Sequence, residues 1–110
     1  MAILHWKIQR ISAILIIPII IYLVIYLLNI GSLTYQELRN DIASPLGTFT
    51  IIISSLIVYI HSALGIAVVF EDYVHNLNIQ KIIILISNLF HIFLFISTFF
   101  LLLIIKGSLL

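Results

Sequence analysis

Apolar and polar positions along this chain fall into long blocks rather than alternating. Residues 11–30, 48–70 and 82–105 each run without Asp, Glu, Lys or Arg. Each run meets the ~20 residues that a helix needs to cross a hydrocarbon core of about 30 Å. Strands are ruled out, because unbroken apolar runs lack the in–out alternation of a barrel and three strands cannot close one. The pattern predicts an all-α membrane protein with three transmembrane helices, at about 11–30, 48–70 and 82–105.

The connectors differ in character. Residues 31–44 hold Glu37, Arg39 and Asp41, with Asn40, Asp41 and Ser44 as capping candidates and Pro45 suited to the first turn of the second helix. Residues 71–81 include Glu71, Asp72, Tyr73, His75, Asn76 and Asn78. No repeat or linker divides the chain, so residues 1–110 read as a single transmembrane domain. Three crossings put the N-terminus and the second loop on one side, with Lys7, Arg10 and Lys81, against Arg39 and Lys106 opposite. The positive-inside preference then places Met1 on the matrix or cytoplasmic side. The first run is too long for a secretory signal and lacks its cleavage pattern, so the chain is expected to be used from Met1.

Composition removes several classes of function. With 64% hydrophobic and 8% charged residues the chain is no soluble globule. Five basic and four acidic side chains, net +1, form no patch for nucleic acid and no polybasic lipid-binding arm. The absence of cysteine excludes disulfides, iron–sulfur ligation and covalently attached haem. Any metal must be held by His or carboxylate.

Candidate chemistry lies in the polar residues that lipid would exclude. His61 and His91 sit near the middle of the second and third runs, where ionisable groups point to function. Ser54, His61, Gly65, Val68 and Asp72 share one helical face. Gly65, one turn from His61, would let a flat macrocycle ligated by the imidazole lie against the backbone. It would equally let two helices approach, with His61 hydrogen-bonded across the contact. Asp72 is three turns beyond His61, about 16 Å along the axis and near the water boundary. There the Tyr73 phenol could meet the carbonyl of a lipid-dissolved quinone, or serve as an interfacial anchor. Ser12, close to Arg10, could reach the mouth of that site or bond back to its own helix. His91 shares the depth of His61, but helices 8–10 Å apart leave no room for a porphyrin between them. A hydrogen-bonded role, or one facing a partner, is expected for it. Pro18 is expected to kink the first helix.

The stretch His61-Ser-Ala-Leu-Gly65-Ile-Ala-Val-Val-Phe-Glu-Asp72-Tyr73 resembles the H-x-x-x-G-x-x-x-x-x-x-D-Y signature of the small cytochrome b anchor subunits of succinate dehydrogenase. Arg10 at the opening of the first helix and Gly31-Ser-Leu-Thr-Tyr35 in the first loop extend the likeness over most of the chain. The resemblance implies half of a two-subunit anchor bundle. His61 would be one axial ligand of the iron of haem b, with the second supplied by the larger cytochrome b anchor subunit. Arg10 would lie near the haem propionates. Tyr73 would bond a ubiquinone carbonyl, with Asp72 organising the site and its proton path. The implied partners are the larger anchor subunit, the iron–sulfur subunit and the flavoprotein subunit, within membrane lipid. No residue of this chain would oxidise succinate, because it carries neither a flavin-binding G-x-G-x-x-G turn nor a cysteine set for clusters. The location implied is the mitochondrial inner membrane, or a bacterial inner membrane with the N-terminus cytoplasmic. The competing expectation is a redox-inert structural or assembly subunit without haem, in which the polar stripe is helix-packing glue.

Overall fold

The computed structural model describes residues 2–107, and Met1, on which the expected start and orientation rest, lies outside them. Helix α1 (Ala2–Asn29) ends in a 3-10 turn (Ile30–Ser32) and is followed by a short α2 (Tyr35–Ala43), α3 (Pro45–Tyr73) and α4 (Leu77–Gly107). The described residues contain no strand, and α1, α3 and α4 are each long and apolar enough to span a membrane. The three expected spans are therefore present. Each helix is longer than its uncharged run: 28, 29 and 31 residues, or about 42–46 Å at 1.5 Å per residue. Helices of that length outreach a hydrocarbon core of about 30 Å, so charged residues near their ends have room in the headgroup layer. α1 remains one helix across Pro18.

The first connector is not a plain loop. Thr34 caps α2 by a reciprocal pair of bonds: its hydroxyl accepts from the Glu37 amide at 3.2 Å, and its own amide donates to the Glu37 carboxylate at 2.7 Å. These bonds from Thr34 to the charged form hold Glu37 below the usual carboxylate range. The Thr-x-x-Glu spacing at 34–37 carries this signal in the sequence. Ser44 then caps α3, its hydroxyl accepting from the Gly47 amide at 3.0 Å, with Pro45 in the first turn as expected. The corner is tight enough that a Cβ on Gly47 would run into the Asp41 carbonyl oxygen.

α3 is the middle helix, packed against α1 on one side and α4 on the other. The unit has almost no interior of its own, since Ser12, His91 and Leu102 are the buried side chains among the described residues. Lipid tails are as apolar as leucine, so exposing the Ile and Leu surface costs little in a bilayer and draws no helices together. Polar bonds supply the register instead. Ser12 of α1 meets His61 of α3 at 3.0 Å, and Ser62 of α3 meets His91 of α4 at 3.0 Å. Tyr59 meets Thr98 at 2.9 Å, with the Tyr59 ring edge-on to Phe95. His61 and Ser62 are consecutive, and the ~100° turn between neighbours in a helix directs one to each flanking helix. Each such bond contributes about 0.6 kcal/mol on average, up to about 1.7.

Candidate functional site

At the second loop the helices are stopped and held by side chains. α3 leaves helical geometry at Val74, and residues 74–76 turn the chain into α4. The Asn76 side-chain oxygen accepts from the amides of Asn78 and Ile79 at 3.0 and 3.2 Å, capping α4. Gln80 reaches back, donating to the carbonyls of Glu71 at 3.3 Å and Val74 at 3.0 Å, and so satisfies acceptors at the end of α3. Sequence reasoning did not single out Gln80, because its partners are defined only once α4 folds back on α3. The result is a fixed corner on which Asp72 and Tyr73 stand exposed, Tyr73 by 80%. Tyr73 therefore projects away from this chain.

Three turns along α3 from that corner, His61 is half-buried and faces α1. The Ser12 hydroxyl lies 2.9 Å from the Gln9 carbonyl and 3.0 Å from His61 Nδ1. A carbonyl can only accept, and the hydroxyl has one proton. If that proton goes to Gln9, Nδ1–H can donate to the Ser12 oxygen and both bonds form. If it goes to Nδ1, the Gln9 bond is lost. One net hydrogen bond, about 1 kcal/mol, therefore favours the Nδ1–H tautomer by roughly fivefold. In that tautomer Nε2 carries the lone pair. No group among the described residues bonds to Nε2, and no buried polar side-chain atom among them is left unpaired, so Nε2 is open at the surface of the described unit.

Gly65 is one turn closer to the corner and also faces α1, where a Cβ would stand 3.9 Å from Gln9 Nε2. Arg10 is exposed, its guanidinium 5.4 Å from the Trp6 ring centroid, and it makes no ion pair among the described residues. Ser12, expected at the mouth of a quinone site or bonded back to its own helix, does bond back, and it bonds His61 in addition. Between α1 and α4, above the small Ala63 and Ala67 of α3, lies a crevice of about 540 Å³ that also exposes His5, Gln9, Glu71 and Asn88. It is not lined by Asp72 or Tyr73. His5 and His75 are exposed, and no cluster of three metal-ligating side chains occurs among the described residues.

His91 has the opposite arrangement. Its Nδ1 is 2.7 Å from the Ser87 carbonyl and must donate there, so Nε2 accepts from the Ser62 hydroxyl at 3.0 Å. Both ring nitrogens are engaged within the chain, in line with the hydrogen-bonded role expected for it. His91→Leu should thus leave any haem spectrum unchanged while weakening the α3–α4 contact by about 0.6–1.7 kcal/mol. Spectra and thermal melts recorded on one preparation check this, and an altered spectrum would assign His91 to the metal. Tyr22 and Tyr26 stack at 6.0 Å between centroids, and the Tyr26 hydroxyl donates to Asp41 at 2.7 Å. That pair ties α1 to α2 near the first connector, away from the corner of Tyr73.

Over residues 1–105 the sequence matches the family described as succinate dehydrogenase/fumarate reductase transmembrane subunit. It is 39% identical over 77 residues to the succinate dehydrogenase membrane anchor subunit of Reclinomonas americana, a match covering 66% of this chain and 63% of that protein. It is 28% identical over 86 residues to the succinate dehydrogenase hydrophobic membrane anchor subunit of Rickettsia felis, covering 78% of this chain and 72% of that one. The matched stretch thus spans a little under two thirds of the length of the Reclinomonas protein.

Proposed function

The chain belongs to the succinate dehydrogenase/fumarate reductase transmembrane subunit family, as a membrane anchor, and from that premise we propose that it helps bind haem b and reduce ubiquinone. Its soluble flavoprotein and iron–sulfur partners would oxidise succinate, and the larger cytochrome b anchor would complete the membrane bundle. The observation that carries the reading is the state of His61: half-buried at mid-span, with Nδ1 committed to Ser12 and Nε2 without a partner among the described residues. Neutral imidazole with a free Nε2 is a competent iron ligand.

The residues present fit haem b. His61 would be one residue that holds the iron, together with a ligand from the larger anchor subunit. Arg10, a cation without an acidic partner here, suits a propionate. Gly65, one turn from His61, faces α1 with Gln9 its nearest neighbour, and so serves the approach of the two helices that carry His61 and Arg10. When bound, haem b supplies a one-electron carrier.

Ubiquinone is the substrate. Tyr73, held at the Gln80-buttressed corner, donates its phenolic hydrogen bond to a quinone carbonyl and so orients the ring. Asp72, beside it at the aqueous boundary, serves the path by which two protons join two electrons from the partner subunits to form quinol. Because Tyr73 is 80% exposed in this chain, the rest of the quinone pocket belongs to the partners. The orientation that fits has the N-terminus and second loop on the matrix or cytoplasmic side of an inner membrane. Isolation of the native complex tests the whole reading. Flavin, iron–sulfur centres and a haem b absorbance should co-purify with this chain, whereas a complex with the first two and no haem would leave only the scaffold role.

A further inference from the structure

Resting on the reading of His61 as an iron ligand, we infer that Ser12 is the positioning residue that sets the orientation and donor strength of that ligand. Ser12 is 5% exposed, and it is one of two polar side chains buried among the described residues. Its hydroxyl proton is held by the Gln9 carbonyl at 2.9 Å, so its oxygen presents a lone pair in a fixed direction toward α3. His61 Nδ1 lies in that direction at 3.0 Å. The bond therefore selects the tautomer, restrains rotation of the ring about its Cβ–Cγ bond, and leaves Nε2 as the donor atom.

It also changes the ligand's chemistry. An imidazole whose remote N–H donates to oxygen is more electron-rich, and such outer partners orient the ring and raise ligand basicity. Greater basicity favours ferric over ferrous iron. The contrast with His91 argues that this is specific. There Nδ1–H is fixed in the same manner, by the Ser87 carbonyl, but Nε2 is consumed by Ser62. Two histidines on facing helices thus share one orienting device, and only the histidine held by Ser12 keeps a free second nitrogen. The contact also crosses from α1 to α3, so the register of α1, which carries Arg10 two residues away, is tied to the state of the ligand.

The test uses the purified complex, redox titration of its haem and low-temperature electron paramagnetic resonance. Ser12→Ala should retain the haem but shift the low-spin g values. The ferrous-to-ferric ratio at a fixed poise should rise about three- to tenfold, tenfold being 59 mV for one electron. Ser12→Thr, which keeps the hydroxyl, should restore the wild-type ratio and g values. Loss of haem from an assembled Ser12→Ala complex, rescued by threonine, supports the same role. Alanine and threonine variants that both match wild type, or that are equally defective or fail to assemble, would overturn it by showing a packing role or none. His61→Leu is the separating control: if that variant keeps the spectrum, the ligation reading itself fails. If it loses the spectrum while Ser12→Ala is silent, only the assignment of Ser12 fails.

Discussion

Replacing His61 by leucine should abolish the low-spin haem signal expected of the purified complex while leaving flavin and iron–sulfur centres in place. Leucine fills a similar volume in an apolar environment, so α3 itself tolerates the change, but it offers no lone pair to iron. The substitution also removes the acceptor–donor match across α1 and α3, leaving the Ser12 oxygen with its Gln9 bond alone. That loss is worth only about 0.6–1.7 kcal/mol, too little to disassemble a multi-subunit complex by itself. The spectrum and the assembly state therefore separate: a lost signal in an assembled complex identifies a ligand. An unchanged spectrum would reject His61 as the ligand and return it to helix packing.

The second large effect is expected at Tyr73. Tyr73→Phe keeps the ring at the corner formed by residues 74–76 and removes only the hydroxyl. Because this side chain is 80% exposed and makes no hydrogen bond among the described residues, the fold should not register the change. A hydrogen bond to charge developing on a quinone carbonyl is worth about 1.5–3 kcal/mol, so quinone reduction should fall roughly ten- to a hundredfold. Succinate oxidation with an artificial acceptor, which bypasses the membrane site, should remain at the wild-type rate. Equal loss of both activities would indicate a docking or assembly role for Tyr73 and remove it from the quinone site.

Much of the architecture was legible along the chain because lipid imposes a length and an apolarity on every span. The blocks at 48–70 and 82–105 lie within α3 and α4, that at 11–30 ends one residue past α1 in the 3-10 turn, and Pro45 and Ser44 mark the start of α3 as local rules require. The short α2 was missed, although Thr34 and Glu37 stand at capping-box spacing, because nine residues with a polar face give no membrane signal. The candidate site divides in the same way. His61, Gly65, Asp72 and Tyr73 are related by helical periodicity, so their common helix and relative heights follow from spacing. Gln80 could not be found so, nor could the bond from Tyr26 to Asp41, since the partners Glu71, Val74 and Asp41 are reached across turns.

By itself the sequence determined the all-helical class, the three crossings and the depth of both histidines, because hydropathy and rise per residue are properties of a single helix. Only the tertiary structure decided which histidine keeps a free nitrogen. That depends on what lies opposite: Ser12 beside the Gln9 carbonyl sets one ring, and Ser87 and Ser62 occupy the other. The availability of a lone pair is fixed by interhelical register, and no spacing within one helix encodes it.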